Sequence, residues 1–447
     1  MPWRAVVPMF SKVLIANRGA IARRVVRACH ELGISSVVVY SDADGEAPYL
    51  AEASETVHLP GNAAPDTYLN QDLLLQAIKN SGSDAVHPGY GFLSEHAGFA
   101  QAVVDAGVAF IGPDPKWLTA MGDKVAARET MQAQGFPVFA GSQAIADVSE
   151  ALAEAERIGY PIMLKPSGGG GGMGMQRVDS AEQLENSFFQ AQAIASQAFS
   201  NAAVYLEKFL SAPRHIEYQV LADNHGNAMH VYERDCSVQR RHQKLIEESP
   251  APDIDPAVLS EVADQAVVAC QALGYNNVGT LETMYDQSGS SGFLEMNTRI
   301  QVEHGVTEMV TGLDLVQTQI DLAAGGQLPT KPARNGVAIE ARLYAEDPDT
   351  LLPSTGKLNR FVVPELHSVR VETGFTEGQV VSPYYDPLLA KVIAYADTRE
   401  LAIGRLVVAL KAIEVQGIRT NAPLLIRILG SEAFLSGNVD TELLLRI

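Results

Sequence analysis

Short apolar runs alternate with amphipathic stretches along the first quarter of the chain. Lys12-Val-Leu-Ile-Ala16 reads as a buried strand, Asn17-Arg-Gly-Ala20 as a turn, and Ile21–Leu32 as a helix ended by Gly33. Ser36-Val-Val-Val-Tyr40 is the next strand. The rhythm continues with a helix over Asn70–Asn80, a strand over Ala85-Val-His87, a helix over His96–Ala106 and a strand over Val108–Gly112. Strand, helix, strand in this order predicts a doubly wound parallel sheet. Glycine and proline at Gly112-Pro113 mark its end.

Residues 114–138 read as helical and connecting, with Met121-Gly-Asp-Lys124 inside. A small α/β unit follows. Its expected elements are a strand Val138-Phe-Ala140, a helix Ser149–Ile158, a hairpin, a helix Ala181–Phe199 and a strand Ala203–Phe209. From Leu210 the pattern becomes that of antiparallel strands: Ile216–Ala222, Ala228–Glu233, Gly279–Tyr285, Phe293–Asn297, Val337–Tyr344 and Val369–Glu372. A helical tail, Arg399–Ile413, is expected to close this part. The fold class is thus α/β and α+β: a parallel sheet first, a small mobile unit next, an antiparallel sheet last.

The hairpin of the small unit carries the most distinctive stretch, Ser167-Gly-Gly-Gly-Gly-Gly-Met-Gly-Met175. Five consecutive glycines, Gly168–Gly172, cannot be the interior of a helix or strand, because each loses more backbone entropy on ordering than another residue would. They offer bare N–H groups that approach an anion with no Cβ in the way. Tyr160–Pro166, carrying Lys165, reads as the strand before them, and Met175-Gln-Arg-Val178 as the strand after them. A plain flexible linker is one reading. The flanking strands and Lys165 favour a flap over phosphates. No Gly-Lys-Ser/Thr follows, so this is not a Walker A loop, and the single glycine of the N-terminal turn is no dinucleotide fingerprint.

Composition narrows the function. A chain of 447 residues is too long for one ordinary core, and 47% apolar residues suffice for several. The net charge of −20 argues against nucleic acid or an anionic membrane as a partner. An anionic substrate such as ATP then requires a local basic pocket. Glu233-Arg-Asp-Cys-Ser-Val-Gln-Arg-Arg-His-Gln-Lys244 concentrates cations, either as a solvated basic face or as that pocket. Cys29, Cys236 and Cys270 fit no metal or disulfide spacing, which predicts a reducing cytoplasm. No apolar run approaches a membrane span. Met1–Pro8 lacks the apolar core of a signal peptide, and the regular pattern begins only at Met9.

Gly279-Thr-Leu-Glu-Thr-Met-Tyr285 and Phe293-Leu-Glu-Met-Asn297 form a hairpin centred near residue 288 or 289. Glu282 and Glu295 then face each other across the strands, with Asn297 on the same face as Glu295. Two adjacent carboxylates repel each other unless they are solvated or share a cation. The apolar neighbours Leu281, Met284, Phe293 and Leu294 favour a cation, and oxygen ligands suit Mg²⁺ rather than zinc. Directly after the hairpin, Thr298-Arg-Ile-Gln-Val-Glu-His304 spaces Arg299, Gln301 and Glu303 at alternate positions. Arg299 and Glu303 are either a structural ion pair or a small-anion site beside a general base.

Taken in order, these motifs resemble those of biotin carboxylases, members of the ATP-grasp superfamily, from about Met9 to the end of the chain. The resemblance rests on Ala16-Asn-Arg-Gly19, His87-Pro-Gly-Tyr-Gly-Phe-Leu-Ser-Glu95, Met121-Gly-Asp-Lys124, the glycine flap, Glu207-Lys208, Pro213-Arg-His215, Glu233–Lys244, Glu295–His304 and Ala345-Glu-Asp-Pro348. It implies an N-terminal biotin carboxylase domain at 9–112, a helical connector at 113–137, an ATP-grasp lid at 138–209, a catalytic core at 210–330 and a C-terminal domain at 331–447. Lys124 and Lys165 would hold ATP phosphates, with Gly171 and Gly172 closing over them. The strand end at Glu207, Lys208 and Leu210 would meet the adenine edge, and His215, Gln239 and His242 would line the nucleotide site. Glu282, Glu295 and Asn297 would hold Mg²⁺ or Mn²⁺. Lys244, Arg299, Gln301 and the backbone of Val302 would bind bicarbonate, and Glu303 would deprotonate it. Arg342 would stabilise the biotin enolate, with Tyr90 beside the substrate.

The family pattern has Glu where Ala20 stands, Arg where Met173 stands and Pro where Gly305 stands. Asn17-Arg-Gly-Ala-Ile-Ala22, Glu303-His-Gly-Val-Thr-Glu308 and Ala341-Arg-Leu-Tyr-Ala-Glu-Asp-Pro348 are similar to the biotin carboxylase part of urea or guanidine carboxylases, whereas Arg241-His242-Gln243 follows the acyl-CoA carboxylase type. The chain has no Met-Lys-Met attachment site, so the resemblance implies a free-standing subunit acting on biotin held by a separate carrier protein, with a separate carboxyltransferase. A homodimer is implied by Arg27 and Glu31. The other readings are a different ATP-grasp ligase joining a carboxylate to an amine, and a non-catalytic nucleotide-binding regulator.

Overall fold

A computed structural model describes residues 9–167, 174–199 and 202–447. Lys12–Ile15, Ser35–Ser41, Glu55–Leu59, Ala85–His87 and Ala109–Phe110 form a five-stranded parallel sheet, in the spatial order third, second, first, fourth, fifth. Val13, Leu14 and Ile15 are all fully buried, because a parallel sheet is covered on both faces. Val13 and Ile15 join the core of the helix Gly19–Glu31, and Leu14 joins that of the helix Ala97–Asp105. Glu55–Leu59 escapes the apolar pattern. It is an edge strand with mostly exposed residues, and polar side chains suit that position.

The connector is two helices, Pro115–Gly122 and Lys124–Ala133. Asp123 caps the second by accepting from the N–H groups of Val125 and Ala126. Val138–Ala140, expected as a strand, is not one. The carbonyl of Phe139 accepts from Arg128 Nη2 at 2.6 Å, and the segment reaches the small sheet only through single bridges at Gly141 and Ile145.

In the small sheet, Ile162–Pro166 pairs antiparallel with Gln176–Val178 on one side and Val204–Lys208 on the other. The helices Val148–Ile158 and Ala181–Phe199 cover it. Ala151, Ala155, Leu184 and Phe188 close with Ile162, Leu164 and Leu206 into a core separate from the others. The two strands of the expected hairpin are therefore paired, while the glycines at its tip, with Met173, lie outside the described residues.

The large sheet has eight strands. Their spatial order is Ser291–Asn297, Asn277–Tyr285, Arg214–Ala222, Ala228–Arg240, Gln243–Ser249, Val337–Tyr344, Leu388–Ala396 and Val369–Thr373. It runs unbroken across residue 330, since Gln243–Ser249 pairs with Val337–Tyr344. The helix Pro256–Leu273 carries plain signals: Asp255 accepts from the Ala257 N–H, Pro256 opens the first turn, and Gly274 ends it with φ 67°. The helix Arg399–Ala412 does not close the chain; Ala422–Leu429 and Glu432–Leu435 follow it. A Cβ on Gly374 would strike the backbone of Gly19, so the start of the first helix and the residue after the strand Val369–Thr373 meet backbone to backbone there. Among the described residues no helix is long and apolar enough to cross a membrane.

Candidate active site

Strand register sets a row of charges across the large sheet. Glu282 lies directly opposite Glu295, and Thr280 opposite Asn297. The next strand puts Glu217 opposite Glu282, and the one after it puts Arg234 opposite Glu217. Like charges directly opposite each other are destabilising, so each carboxylate needs a cation. Glu295 meets Lys124. Glu282 meets His215 at 2.8 Å and Lys244 at 2.9 Å. Glu217 meets Arg234 and, at 2.6 Å, Lys244.

Lys244 is the hub. Its ammonium has three donors, and all three go to carboxylates: Glu217, Glu282 and, at 2.7 Å, Glu303. Burial pushes its pKa down, yet the surrounding acidic groups outweigh that and hold it well above the ordinary lysine value. Burial pushes Glu282 up, but Lys244 and His215 hold it well below the usual carboxylate range. His215 Nδ1 accepts from Gln239 Nε2 at 2.6 Å, which leaves Nε2 as the donor to Glu282. Glu282 Oε1 also accepts from Asn297 Nδ2 at 2.9 Å and Gln301 Nε2 at 2.6 Å.

Glu303 sits in the irregular segment after the hairpin, 2% exposed. Lys244 donates to its Oε1, and Arg342 Nη2 donates to its Oε2 at 3.0 Å. Burial raises its pKa, but Lys244, Arg342 and Arg234 prevail and keep it ionised well below the ordinary value. Arg342 reaches it from the strand Val337–Tyr344 and also donates to Glu247. Arg299 does not pair with Glu303. Its Nε donates to Glu95 Oε2 at 2.9 Å and its Nη2 to Asn297 Oδ1 at 2.7 Å, so the structural ion pair is with a residue of the parallel-sheet domain.

Most of these groups line one cavity of about 1210 Å³ between the small and large sheets; Glu95, Glu217, Arg234 and Glu247 do not reach it. Lys165, paired with Glu207, lies on its small-sheet side with Lys208 and Leu210. Lys208 Nζ donates to the Gly159 carbonyl at 2.8 Å. His242 lies in the tight turn after Arg240, at φ 66°, and burial followed by Lys165 lowers its pKa. Lys124, His215, Gln239, Glu282, Glu295 and Asn297 line the middle, and Lys244, Arg299, Gln301, Val302, Glu303 and Arg342 the far end. Glu282 and Glu295 offer carboxylate oxygens side by side, which fits a hard divalent cation, whereas Asn297 turns its Nδ2 to Glu282 and its Oδ1 to Arg299, so its oxygen would have to leave Arg299 to join them.

Family models match the chain along nearly its whole length. Residues 9–118 match the biotin carboxylase N-terminal domain, 123–331 the ATP-binding domain of the carbamoyl-phosphate synthase L chain, and 340–446 the biotin carboxylase C-terminal domain. The chain is 48% identical to a biotin carboxylase of Halalkalibacterium halodurans over 437 residues, covering 97% of each. The chain belongs to the biotin carboxylase family. Among solved structures it is similar to the biotin carboxylase domain dimer of Hydrogenobacter thermophilus 2-oxoglutarate carboxylase, in complex with MgADP, ADP and bicarbonate, with a TM-score of 0.95 and 43% identity over 98% of this chain and 97% of that one. It is also similar to a Campylobacter jejuni biotin carboxylase in complex with β,γ-ATP, with a TM-score of 0.96 and 40% identity over 98% and 99%.

Three of the expected site residues are not placed in the cavity. Gly171 and Gly172 lie outside the described residues. Tyr90 is half-buried against the core of the parallel sheet and does not line the cavity; burial raises its pKa well above the ordinary value. Of the departures from the biotin carboxylase pattern, Ala20 is buried in the first helix, and at Gly305 the Ile393 side chain fills the space a Cβ would need. Sequence reasoning missed Glu217, Arg234, Glu95 and Glu247. Arg234 is fully buried and donates to Glu217, to Gln219 at 2.9 Å, to Thr307 at 3.0 Å and to Gln301 at 2.7 Å, which ties two strands to the segment that carries Gln301 and Glu303. Arg234 stands between Glu233 and Asp235, so the sequence pattern gives no signal of its burial.

Proposed function

We propose that this chain catalyses the ATP-dependent carboxylation of biotin by bicarbonate, with biotin carried on a separate protein. One observation carries the reading: an ionised, buried Glu303 between Lys244 and Arg342, at the end of a cavity that also holds Lys124, Lys165 and the Glu282–Glu295 pair. Bicarbonate gives its proton to Glu303, and its oxygen attacks the γ-phosphate of ATP as ADP leaves. The carboxyphosphate so formed breaks down to CO₂ and phosphate. The phosphate takes the proton from biotin N1, and the nitrogen attacks CO₂. Lys124 and Lys165 offset charge on the transferred phosphate, and Arg342 offsets it on the ureido oxygen. Glu282 and Glu295, with Asn297, would hold a divalent cation, which would supply further charge neutralisation at the phosphates.

A carboxylate held as low as Glu303 is a weak base. Lys244 has no donor to spare while it binds three carboxylates, so bicarbonate must take one of those donors. Glu303 then loses part of its cationic stabilisation and becomes more basic at the moment a proton is offered.

We take 9–112, 113–137, 138–209, 210–330 and 331–447 as the working domains, with 138–209 as a lid over ATP. Its separate core supports movement as one body. Closure would exclude water, which otherwise hydrolyses carboxyphosphate. A homodimer, a biotin carrier and a carboxyltransferase are the proposed partners. The three cysteines are buried and free, in keeping with a reducing cytoplasm. The test is phosphate release from ATP by the purified chain. It should require bicarbonate and rise with free biotin; turnover with another acid in place of bicarbonate would overturn the reading.

A further inference from the structure

Behind Glu303 lies a buried lysine to which neither the mechanism above nor the motifs give a part. Lys391 is 1% exposed in the strand Leu388–Ala396, opposite Arg342 on one side and Glu372 on the other. Its Nζ donates to the carbonyl of Val302 at 2.6 Å and pairs with Glu372 Oε2 at 2.7 Å; Glu340 Oε2 stands 4.0 Å away. The Val302 carbonyl belongs to the peptide whose nitrogen is that of Glu303. This peptide lies in an irregular segment with no strand ladder to orient it. One peptide earlier, the Gln301 carbonyl is held by His304 through its ring at 2.6 Å.

We propose that Lys391 is a positioning residue for Glu303: it fixes the Val302–Glu303 peptide plane and so the direction in which the carboxylate enters the cavity. This rests on the reading of Glu303 as the base. A buried ammonium is costly unless paired and hydrogen-bonded. Lys391 offsets Glu340 and Glu372 Oε2, while Glu372 Oε1 meets Arg370, Arg27 at 3.1 Å and Arg24 at 3.6 Å. Its contact with the Val302 carbonyl serves no ion pair of the sheet, and an apolar side chain at position 391 would leave that carbonyl unheld.

The test uses the full chain in three backgrounds. Lys391→Met keeps length and removes the donors. Lys391→Met with Glu340→Gln also removes the carboxyl left beside the vacated place, which protects folding. With a misplaced base, bicarbonate-dependent ATP cleavage at saturating substrates should fall about ten-fold or more, while KM for ATP stays within about two-fold. In a Glu303→Gln background the same Lys391→Met change should cost nothing further, because the group it positions is gone. Equal losses with and without Glu303 would overturn the proposal, as would wild-type kcat in a folded variant, or failure of both Lys391 variants to fold. Absence of bicarbonate-dependent cleavage in the wild-type protein would instead sink the reading of the site, independently of Lys391.

Discussion

Arg342 Nη2 donates to Glu303 Oε2 at 3.0 Å, while the other oxygen of Glu303 takes Lys244 at 2.7 Å. Sequence reasoning gives these residues separate duties, Glu303 and Arg299 toward bicarbonate and Arg342 toward biotin. The structure makes Arg342 a neighbour of Glu303 and moves Arg299 onto Glu95. On the proposed roles the two half-reactions share a contact, since Arg342 Nε and Nη2 already serve Glu247 and Glu303.

Glu303→Gln retains size and hydrogen bonding but cannot accept the bicarbonate proton. Bicarbonate-dependent phosphate release should fall by roughly 10²–10⁴-fold, the usual worth of a general base. Lys244 retains Glu217 and Glu282, so circular dichroism and gel filtration should match wild type. Activity within about ten-fold of wild type would remove Glu303 from the role of base.

Arg342→Met removes a charge-assisted hydrogen bond to Glu303 as well as the group assigned to the biotin oxygen. Carboxybiotin formation should be lost. ATP cleavage should also drop, by about ten- to a hundred-fold, in line with the 1.5–3 kcal/mol typical of hydrogen bonds to charged groups. Phosphate and carboxybiotin are measured in parallel. Unimpaired ATP cleavage with no carboxybiotin would show that the Arg342–Glu303 contact carries no weight in the first half-reaction.

What could be read from the sequence was what lies close along the chain. Glu282 and Glu295 were legible because a hairpin's symmetry fixes which residues face each other, and the register bears this out. Partners on strands that are not consecutive were not. Glu95 lies 204 residues from Arg299, and Val302 lies 89 residues from Lys391. Periodicity tells which face a side chain takes, not which distant strand will stand beside it. Arg234 and Glu217 looked like any charged pair in a strand, and only the neighbouring strands show that both are buried. Val138–Ala140 failed for the opposite reason. Its apolar residues suit a strand, but Arg128 captures a carbonyl that a ladder would have used.

The Lys124–Glu295 contact bears on the metal. A cation between Glu282 and Glu295 would take over charge that Lys124 now offsets, leaving Lys124 free for phosphate. Chelation of divalent ions should therefore stop ATP cleavage, and Mg²⁺ should restore it. Glu295→Gln should raise the Mg²⁺ concentration for half-maximal activity by about ten-fold, as loss of one charged oxygen ligand out of a small set would. Titration of Mg²⁺ at fixed ATP reads this directly. An unchanged requirement would exclude Glu295 as a ligand.

The last expectation concerns pH and two carboxyls behind Arg342. Glu247 and Glu340 stand directly opposite each other in adjacent strands, both fully buried. Neither oxygen of Glu340 has a hydrogen-bond partner, and Glu247 Oε2 also lacks one. Burial, then Glu247, outweigh Lys391 and push Glu340 up to about 8; burial is also the main reason that Glu247 rises to about 7. In the unfolded chain both titrate near ~4.3. The folded protein therefore binds more protons than the unfolded chain above that value. This contribution to stability is complete below ~4.3 and is lost as pH rises through the folded values. Other groups leave a usable window. Burial lowers His87 and His304 to about 3, which affects stability only below the ordinary histidine value of ~6.5. Burial raises Cys29 and Cys270 to about 12, which matters only above ~8.5. Between pH 6.5 and 8.5 the wild-type protein should thus lose roughly 2–3 kcal/mol, about 2–3 °C in melting temperature for a chain of this length. Glu340→Gln has no proton to lose there and should show a distinctly shallower decline. Parallel melting curves at three pH values across the window settle it. Equal slopes for the two proteins would mean that Glu340 is already ionised in the fold, with Lys391 as its effective counter-charge.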